Sequence, residues 1–376
     1  MPTKSHQSMT NARAQIQKYY DEKFPFEFVL KLLSHSGTWE IGNREIMLSI
    51  PLTGAENPMR LRYRSVSSEQ EWRALLVEHS RFIQIDVGAV FFAKPIAIGD
   101  LRSQISLSEA VQLRELTFDI DLSDYADVRY CCGNSKKCCK KCWPIAIVAV
   151  VFLEEILRKM FGCKKLVWFY SGRRGVHCWV YDEKYASITQ HYRESVINYI
   201  KQIQESINGG SDIPNYIQIA LSKTQIECMN FFNAQSLFSD STRFEKLIDG
   251  IDIPQPILTS FRNCKTQDFL VFKGLALNTG FTSEEKKLFQ AKKNFVADII
   301  FKSLFPRFDA AVTIDPSHLI KMPFSLHPGT QNVCMPMTLE QMRNFDPEST
   351  ELHMDNCTSE RIEKGIKAAE TMLMGK

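Results

Sequence analysis

Two aspartates alternate with apolar residues in the run Phe118-Asp119-Ile120-Asp121-Leu122. In an extended strand, alternate side chains share a face. Asp119 and Asp121 then point one way, and Phe118, Ile120 and Leu122 the other. Carboxylates about 6.6 Å apart repel by roughly 2–3 kcal/mol at an effective dielectric near 20. A divalent cation removes that cost, and Mg²⁺ prefers oxygen ligands of this kind. On the pair alone, a half-buried strand with a solvated acidic face is the simpler reading.

Five of the eleven cysteines fall between Cys131 and Cys142. The step from Cys139 to Cys142 has zinc-knuckle spacing, and Cys131 and Cys132 lie one short loop away. Five thiols are one more than a tetrahedral site uses, so Cys138 and Cys139 compete. No acid occurs from Arg129 to Cys142, and the lysines there would lower thiolate pKa values and offset the charge of a four-thiolate zinc centre. A loop this rich in lysine offers no apolar burial, which argues against plain buried thiols. Nothing leaves an open coordination position, so the expected metal is structural.

A third cluster is Tyr170-Ser171-Gly172-Arg173-Arg174-Gly175-Val176-His177. Two glycines flank an arginine pair between apolar strands, with a hydroxyl before and an imidazole after. Backbone N–H groups, guanidiniums and an imidazole on one side of a turn suit a triphosphate. The alternative is an ordinary hairpin tip with solvated arginines. A fourth stretch, Phe305-Pro306-Arg307-Phe308-Asp309 and then Lys321-Met322-Pro323-Phe324-Ser325-Leu326-His327-Pro328, says little by itself.

These residues need elements to hold them. Extended segments are expected at 45–50, 59–66, 82–92, 116–122, 166–170 and 176–181. Helical spacing covers 14–33, and helices are expected over 69–78, capped by Ser68, and over 144–160. From Gln190 to about Phe305 the spacing turns helical, broken at Asn208-Gly209-Gly210-Ser211, with further runs at 244–251 and 283–304. Short extended pieces return at 312–320 and 324–337, and a polar helix over 360–373 follows.

The 376 residues carry 46 Lys plus Arg against 43 Asp plus Glu, a net charge of +3. Bulk polycationic binding is thereby excluded, so any grip on nucleic acid must come from local clusters. With 44% hydrophobic and 24% charged residues the chain is a folded globular protein. The opening MPTKSHQSMTNARAQ has no apolar run of signal-peptide type, and the longest apolar stretch, Ile145–Leu153, is too short for a bilayer. A soluble protein among reduced thiols is expected.

Taken in order, the four clusters resemble the small catalytic subunit of the eukaryotic-type (archaeo-eukaryotic) DNA primase. FDIDLSDYADVR resembles its metal-binding strand, CKKCW its zinc loop, and SGRRGVHCWV its signature turn. RLRYRSV and QIDVGAVF resemble its upstream sheet, and PRFD…LIKMPFSLHP the segment carrying a third acid and the last phosphate contacts. The resemblance runs from about Tyr19 to about Met337.

It implies an α+β catalytic core, with small mixed sheets flanked by helices, a zinc loop at 131–142 and an inserted all-helical subdomain. The expected division is 1–189 and 305–376 for the core and 190–304 for the insertion. Asp119, Asp121 and Asp309 correspond to the metal-binding and catalytic acids, holding two Mg²⁺ or Mn²⁺, with Asp315 a rival whose spacing does not fit. Arg62, Ser171, Arg173, Arg174, His177, Lys321 and His327 match nucleotide-binding positions. The family loop selects Cys131, Cys132, Cys139 and Cys142 for one zinc and leaves Cys138 as the rival to Cys139. Gln84 and Gly329 depart from basic family positions. The implied function is synthesis of short RNA primers from ribonucleoside triphosphates on single-stranded DNA by nucleotidyl transfer, in the nucleus, at the start of replication. Implied partners are a large iron–sulfur subunit and the DNA polymerase alpha complex of the primosome. The alternatives are a primase-polymerase extending with deoxynucleotides and a non-catalytic zinc-bearing nucleic-acid-binding subunit.

Overall fold

The computed structural model describes residues 4–52, 55–132, 137–208, 212–270, 273 and 295–375. Helices α1 (Lys4–Glu22) and α2 (Phe26–Leu33) open the chain. One helix-like pattern is expected there, but Pro25 has no N–H to continue α1 and starts a new helix instead. Strands β1 (Arg44–Ile50) and β2 (Met59–Arg64) follow, then α3 (Glu69–Glu78), β3 (Gln84–Phe91), α4 (Pro95–Leu101), α5 (Leu107–Ala110) and β4 (Val111–Leu113). Ser68 caps α3 as expected, its hydroxyl accepting from the Glu71 N–H at 3.2 Å. Next come β5 (Leu116–Asp121), α6 (Pro144–Met160), β6 (Leu166–Tyr170) and β7 (Gly175–Val180).

From Gln190 to Leu304 the described regular elements are all helical: α7 (Gln190–Asn208), α8 (Asn215–Lys223), α9 (Gln225–Ala234), α10 (Ser241–Ile248), α11 (Gln255–Arg262) and the helix Phe295–Leu304. Residues 209–211 of the expected break and residues 283–294 of the expected run at 283–304 lie outside the described residues. The remaining elements are a short helix Ala310–Ile314, β8 (Ile320–Lys321), β9 (Met335–Pro336) and the helices Leu339–Asn344 and Ser359–Leu373. The first of these replaces part of an expected extended piece. Val312, Thr313 and Ile314 are β-branched and read as strand, but the Asp309 carboxylate accepts from the Ala311 N–H at 2.9 Å and starts a helical turn.

One sheet orders its strands β2-β1-β3-β4, with β8 also on β3, and the other β5-β7-β6-β9. Every pairing between the named strands is antiparallel, where mixed sheets are expected. The tight β6–β7 hairpin explains the difference. It inserts β7 between β5 and β6, so these two like-directed strands never pair.

Helix α6 is the apolar post of the fold. Pro144 occupies its first turn, and twelve of its seventeen residues, from Ile145 to Leu157, are buried. It packs on α8 and α9 and faces the helix Phe295–Leu304, where Phe152 meets Phe301 and Phe305 edge-on. A single apolar cluster joins α6 to the β5-β7-β6 sheet. Phe118 and Ile120 turn into it completely, while Asp119 and Asp121 on the alternate face stay partly exposed.

The β5–β7 register sets Asp119 opposite His177 and Asp121 opposite Gly175. A β-carbon at Gly175 would run into the Ile120 carbonyl oxygen. Gly175→Ala is therefore expected to lower the thermal midpoint, at a cost of about 1–3 kcal/mol for overpacking. A variant melting like the parent would contradict this register.

Candidate active site

The three acids reach one cleft from two directions. Asp119 and Asp121 come from β5, and Asp309 from the segment that runs along the free edge of that strand. Phe308 packs edge-on against Phe118 at 5.6 Å, and the Asp309 N–H donates to the Asp119 carbonyl at 3.0 Å. Thr313 Oγ1 donates to the Thr117 carbonyl at 2.7 Å, which extends the seal. Asp315 is placed differently. Its carboxylate accepts from the N–H and hydroxyl of Ser317, at 2.8 and 2.7 Å, and it does not line the cleft.

Opposite the acids stands the β6–β7 turn. Ser171 pairs with Gly175 through its backbone N–H, at 3.0 Å, and accepts the Gly175 N–H on its hydroxyl at 3.1 Å. Gly172 has φ +90°, and a β-carbon there would meet His327 Cβ at 2.8 Å and the Asn332 carbonyl at 2.9 Å. Glycine is thus required twice, for the turn and for the approach of the 327–332 loop. Thr330 Oγ1 ties that loop down by donating to the Gly172 carbonyl at 2.6 Å. The Gly329 N–H donates to His327 Nδ1 at 3.1 Å, which leaves Nε2 of the neutral ring as a donor. Gly329 therefore contributes an orienting N–H where a basic residue is expected.

The cleft, of roughly 280 Å³, is lined by Asp119, Asp121, Asp309, Ser171, Arg173, Arg174, His177, Lys321 and His327. Arg62 is not among its lining. A bulge between β1 and β2 turns Arg62 toward buried Glu45, with two bonds of 2.9 Å. Gln84, where a basic residue is expected, lines the cleft, as do two polar residues that sequence reasoning did not select, Asp86 and His318. Asp86 could have been found as an acid inside the apolar strand QIDVGAVF. It is buried, and Gln84 Nε2 donates to its carboxylate at 2.8 Å. No sequence signal marks His318.

Electrostatics divides the acids. Burial, reinforced by Asp121 and Asp309, pushes the Asp119 carboxyl up to about 7. Burial also acts on Asp121, but hydrogen bonds from Arg174 Nε (2.6 Å) and from the Ser123 N–H and hydroxyl (2.8 Å each) outweigh it and hold that carboxyl low. Burial, and then Lys321, lower both His177 and His327 to about 3. His177 Nε2 sits 3.5 Å from Asp119, too far for a good hydrogen bond, and Nδ1 is buried without a partner. Three carboxylates are a hard oxygen donor set that fits Mg²⁺ or Mn²⁺.

The cysteine loop lies behind the turn. Sulfur–sulfur distances are 3.8 Å for Cys131–Cys132, 3.3 Å for Cys132–Cys139, 3.5 Å for Cys131–Cys139 and 3.8 Å for Cys139–Cys142. Tetrahedral zinc with Zn–S bonds of about 2.3 Å asks for about 3.8 Å. These four thiols all lie within 4.8 Å of one another and fit that ion. Cys138 approaches Cys142 at 3.8 Å but stands outside the set. Gly133 to Lys136 lie outside the described residues.

The raised Asp119 carboxyl has a consequence for stability. Folded Asp119 takes up its proton near pH 7, the unfolded residue near pH 4. The native state binds more protons in that window, so this stabilisation is lost as pH rises from about 4 to 7. Asp119→Asn stays neutral throughout. Without divalent cations it is expected to melt several degrees above the parent near pH 8, with the gap closing towards pH 5. Thermal melting across pH checks this, and a pH-independent gap contradicts it.

Comparison with known proteins agrees with this geometry. Residues 118–339 match the DNA primase small subunit family. The chain is 30% identical to the DNA primase small subunit of Schizosaccharomyces pombe over 91% of its own length and 76% of the relative. It is 29% identical to that of Drosophila melanogaster over 94% and 84%, and 29% identical to that of Saccharomyces cerevisiae over 89% and 82%. The matched span begins on the strand of the paired acids and closes just beyond the cleft-lining loop at 327–332, and the chain belongs to the DNA primase small subunit family.

Proposed function

We propose that this chain is a primer-synthesising nucleotidyltransferase that joins ribonucleoside triphosphates into short RNA primers on single-stranded DNA. One observation carries the reading: Asp119, Asp121 and Asp309 line one small cleft together with the Ser171 hydroxyl, Arg173, Arg174, His177, His327 and Lys321. The carboxylates suit cations, and the donors gathered beside them suit a triphosphate.

Asp119, Asp121 and Asp309 would hold two Mg²⁺ or Mn²⁺. Bound there, such ions lower the pKa of an attacking 3′-hydroxyl and offset charge on the leaving pyrophosphate. The protein's own part is positioning. Arg173, Arg174 and Lys321 supply fixed positive charge to the phosphates. Ser171 holds the turn closed through Gly175, and Gly172 lets the His327 loop nest against it. His177 and His327 start neutral, and His327, its Nδ1 held by the Gly329 N–H, would donate to a phosphate from Nε2. Arg62 would join on exchanging Glu45 for a phosphate. No residue acts as a nucleophile, so the rate gain rests on orientation and electrostatics.

Four thiols would hold one structural zinc. A net charge of +3 favours a chain that shares template binding with a partner. We infer that a large iron–sulfur primase subunit and the replicative polymerase alpha complex supply it, with the nucleus as the place of work.

Asp119→Ala and Asp309→Ala are each expected to abolish dinucleotide formation on an unprimed single-stranded template while leaving fold and zinc content intact, and Asp315→Ala to retain it. An active Asp309→Ala beside an inactive Asp315→Ala would transfer the third acid to Asp315. In the same assay, ribonucleotides are expected to be incorporated well above deoxynucleotides. The opposite preference would favour a primase-polymerase, and no product from folded, zinc-loaded protein would favour a binding subunit.

A further inference from the structure

The cysteine loop has two flanks, and one side chain of the helical segment reaches both. Gln235 caps the C-terminus of α9 and is 1% exposed. Its Oε1 accepts the backbone N–H groups of Tyr130 and Cys131, at 2.7 and 2.8 Å. Its Nε2 donates to the Lys141 carbonyl at 3.0 Å, one residue before Cys142. The first flank thus ends on the oxygen of the amide and the second on its nitrogen. A carboxylate could not make the second bond, and an ammonium could not make the first. These bonds span 94 to 105 residues of sequence, so they close a tertiary contact.

Gln235 is itself held. Its N–H donates to Phe231 at 2.9 Å, and its carbonyl accepts Arg243 Nη1 at 2.7 Å. The Arg243 guanidinium lies over the Tyr130 ring, 4.5 Å from its centroid. Helices α9 and α10 therefore grip the loop from one side. On the other, Lys140 pairs with Asp346 at 2.9 Å and Trp143 Nε1 donates to the Met342 carbonyl at 2.8 Å. The outer contact is an exposed ion pair of small worth. The Gln235 amide is buried and its three side-chain bonds are partly so, and loss of one partner strands the others.

We propose that Gln235 is the positioning residue of the cysteine loop: one amide staples both flanks and makes retention of the metal depend on the helical segment. This rests on the zinc reading given above. By fixing the Cys131 N–H and the Lys141 carbonyl, Gln235 sets the backbone from which Cys131, Cys132, Cys139 and Cys142 converge. It assigns the α9–α10 pair a task, that of holding a preformed thiol site closed. Outer contacts of this kind are worth about 10–100-fold in metal affinity.

The test follows zinc release from the full chain under excess chelator with a zinc-sensitive dye, beside far-UV circular dichroism and total zinc by elemental analysis. The parent is expected to hold about one zinc per chain. Gln235→Met, which keeps the volume and loses every side-chain bond, is expected to release it at least about tenfold faster with helix content unchanged. Gln235→Glu keeps the acceptor for the first flank and loses the donor to the second, and is expected to fall between the two. If Gln235→Met does not fold, the Glu variant decides. A parental release rate in a folded variant of either kind overturns the proposal. A parent free of zinc when purified reduced overturns the zinc reading itself, and the two failures are distinct.

Discussion

Asp119 stands across the β5–β7 ladder from His177, and the site is organised around that pairing. Because side chains alternate along a strand, one register decides both faces at once. Phe118 and Ile120 fill the core, and the two aspartates beside them must therefore face the cleft. The same register brings Gly175 opposite Asp121, which frees Arg174 to bond the Asp121 carboxylate rather than a neighbouring backbone. Slipping β7 by one residue would turn His177 into the core and Cys178 into the cleft. The third acid follows as well. Strand β5 is a sheet edge with spare carbonyls, and the Asp309 N–H satisfies one of them.

The geometry leaves charge unbalanced in a useful way. Asp121 has its counter-ion in Arg174, whereas Asp119 has none of comparable strength and is held partly protonated by burial and its fellow acids. The histidines show the converse, kept neutral by burial beside Lys321. Near-neutrality of the whole chain thus conceals acids and basic groups gathered in one cleft, a local arrangement that overall composition does not reveal.

Much of this was legible in the chain itself, for identifiable reasons. The Phe118–Leu122 alternation, the Pro144 start of α6 and the Ser68 cap are local signals, and these read correctly. The glycines around Arg173 and Arg174 marked the turn, although the clash that forbids a side chain at Gly172 comes from Asn332, 160 positions on. Long-range effects were not legible. Asp309 was reachable only through family spacing, and the helical turn it caps is overwritten in sequence by β-branched residues. The Arg62–Glu45 pair depends on a bulge, and Asp86 and His318 join the cleft only because β3 pairs with β8. Gln235 shows the limit best. A lone glutamine in a polar helix end carries no motif, and its partners lie a hundred residues away.

The central claim is that the acids of this cleft are completed by cations and only then accept a triphosphate on the basic groups beside them. Manganese binding followed by electron paramagnetic resonance, with a non-hydrolysable ribonucleoside triphosphate titrated into the full chain, tests it directly. The account predicts about two Mn²⁺ per chain in the ternary state and much weaker triphosphate binding when metal is withheld. Triphosphate binding that is equally tight without any divalent cation would contradict it.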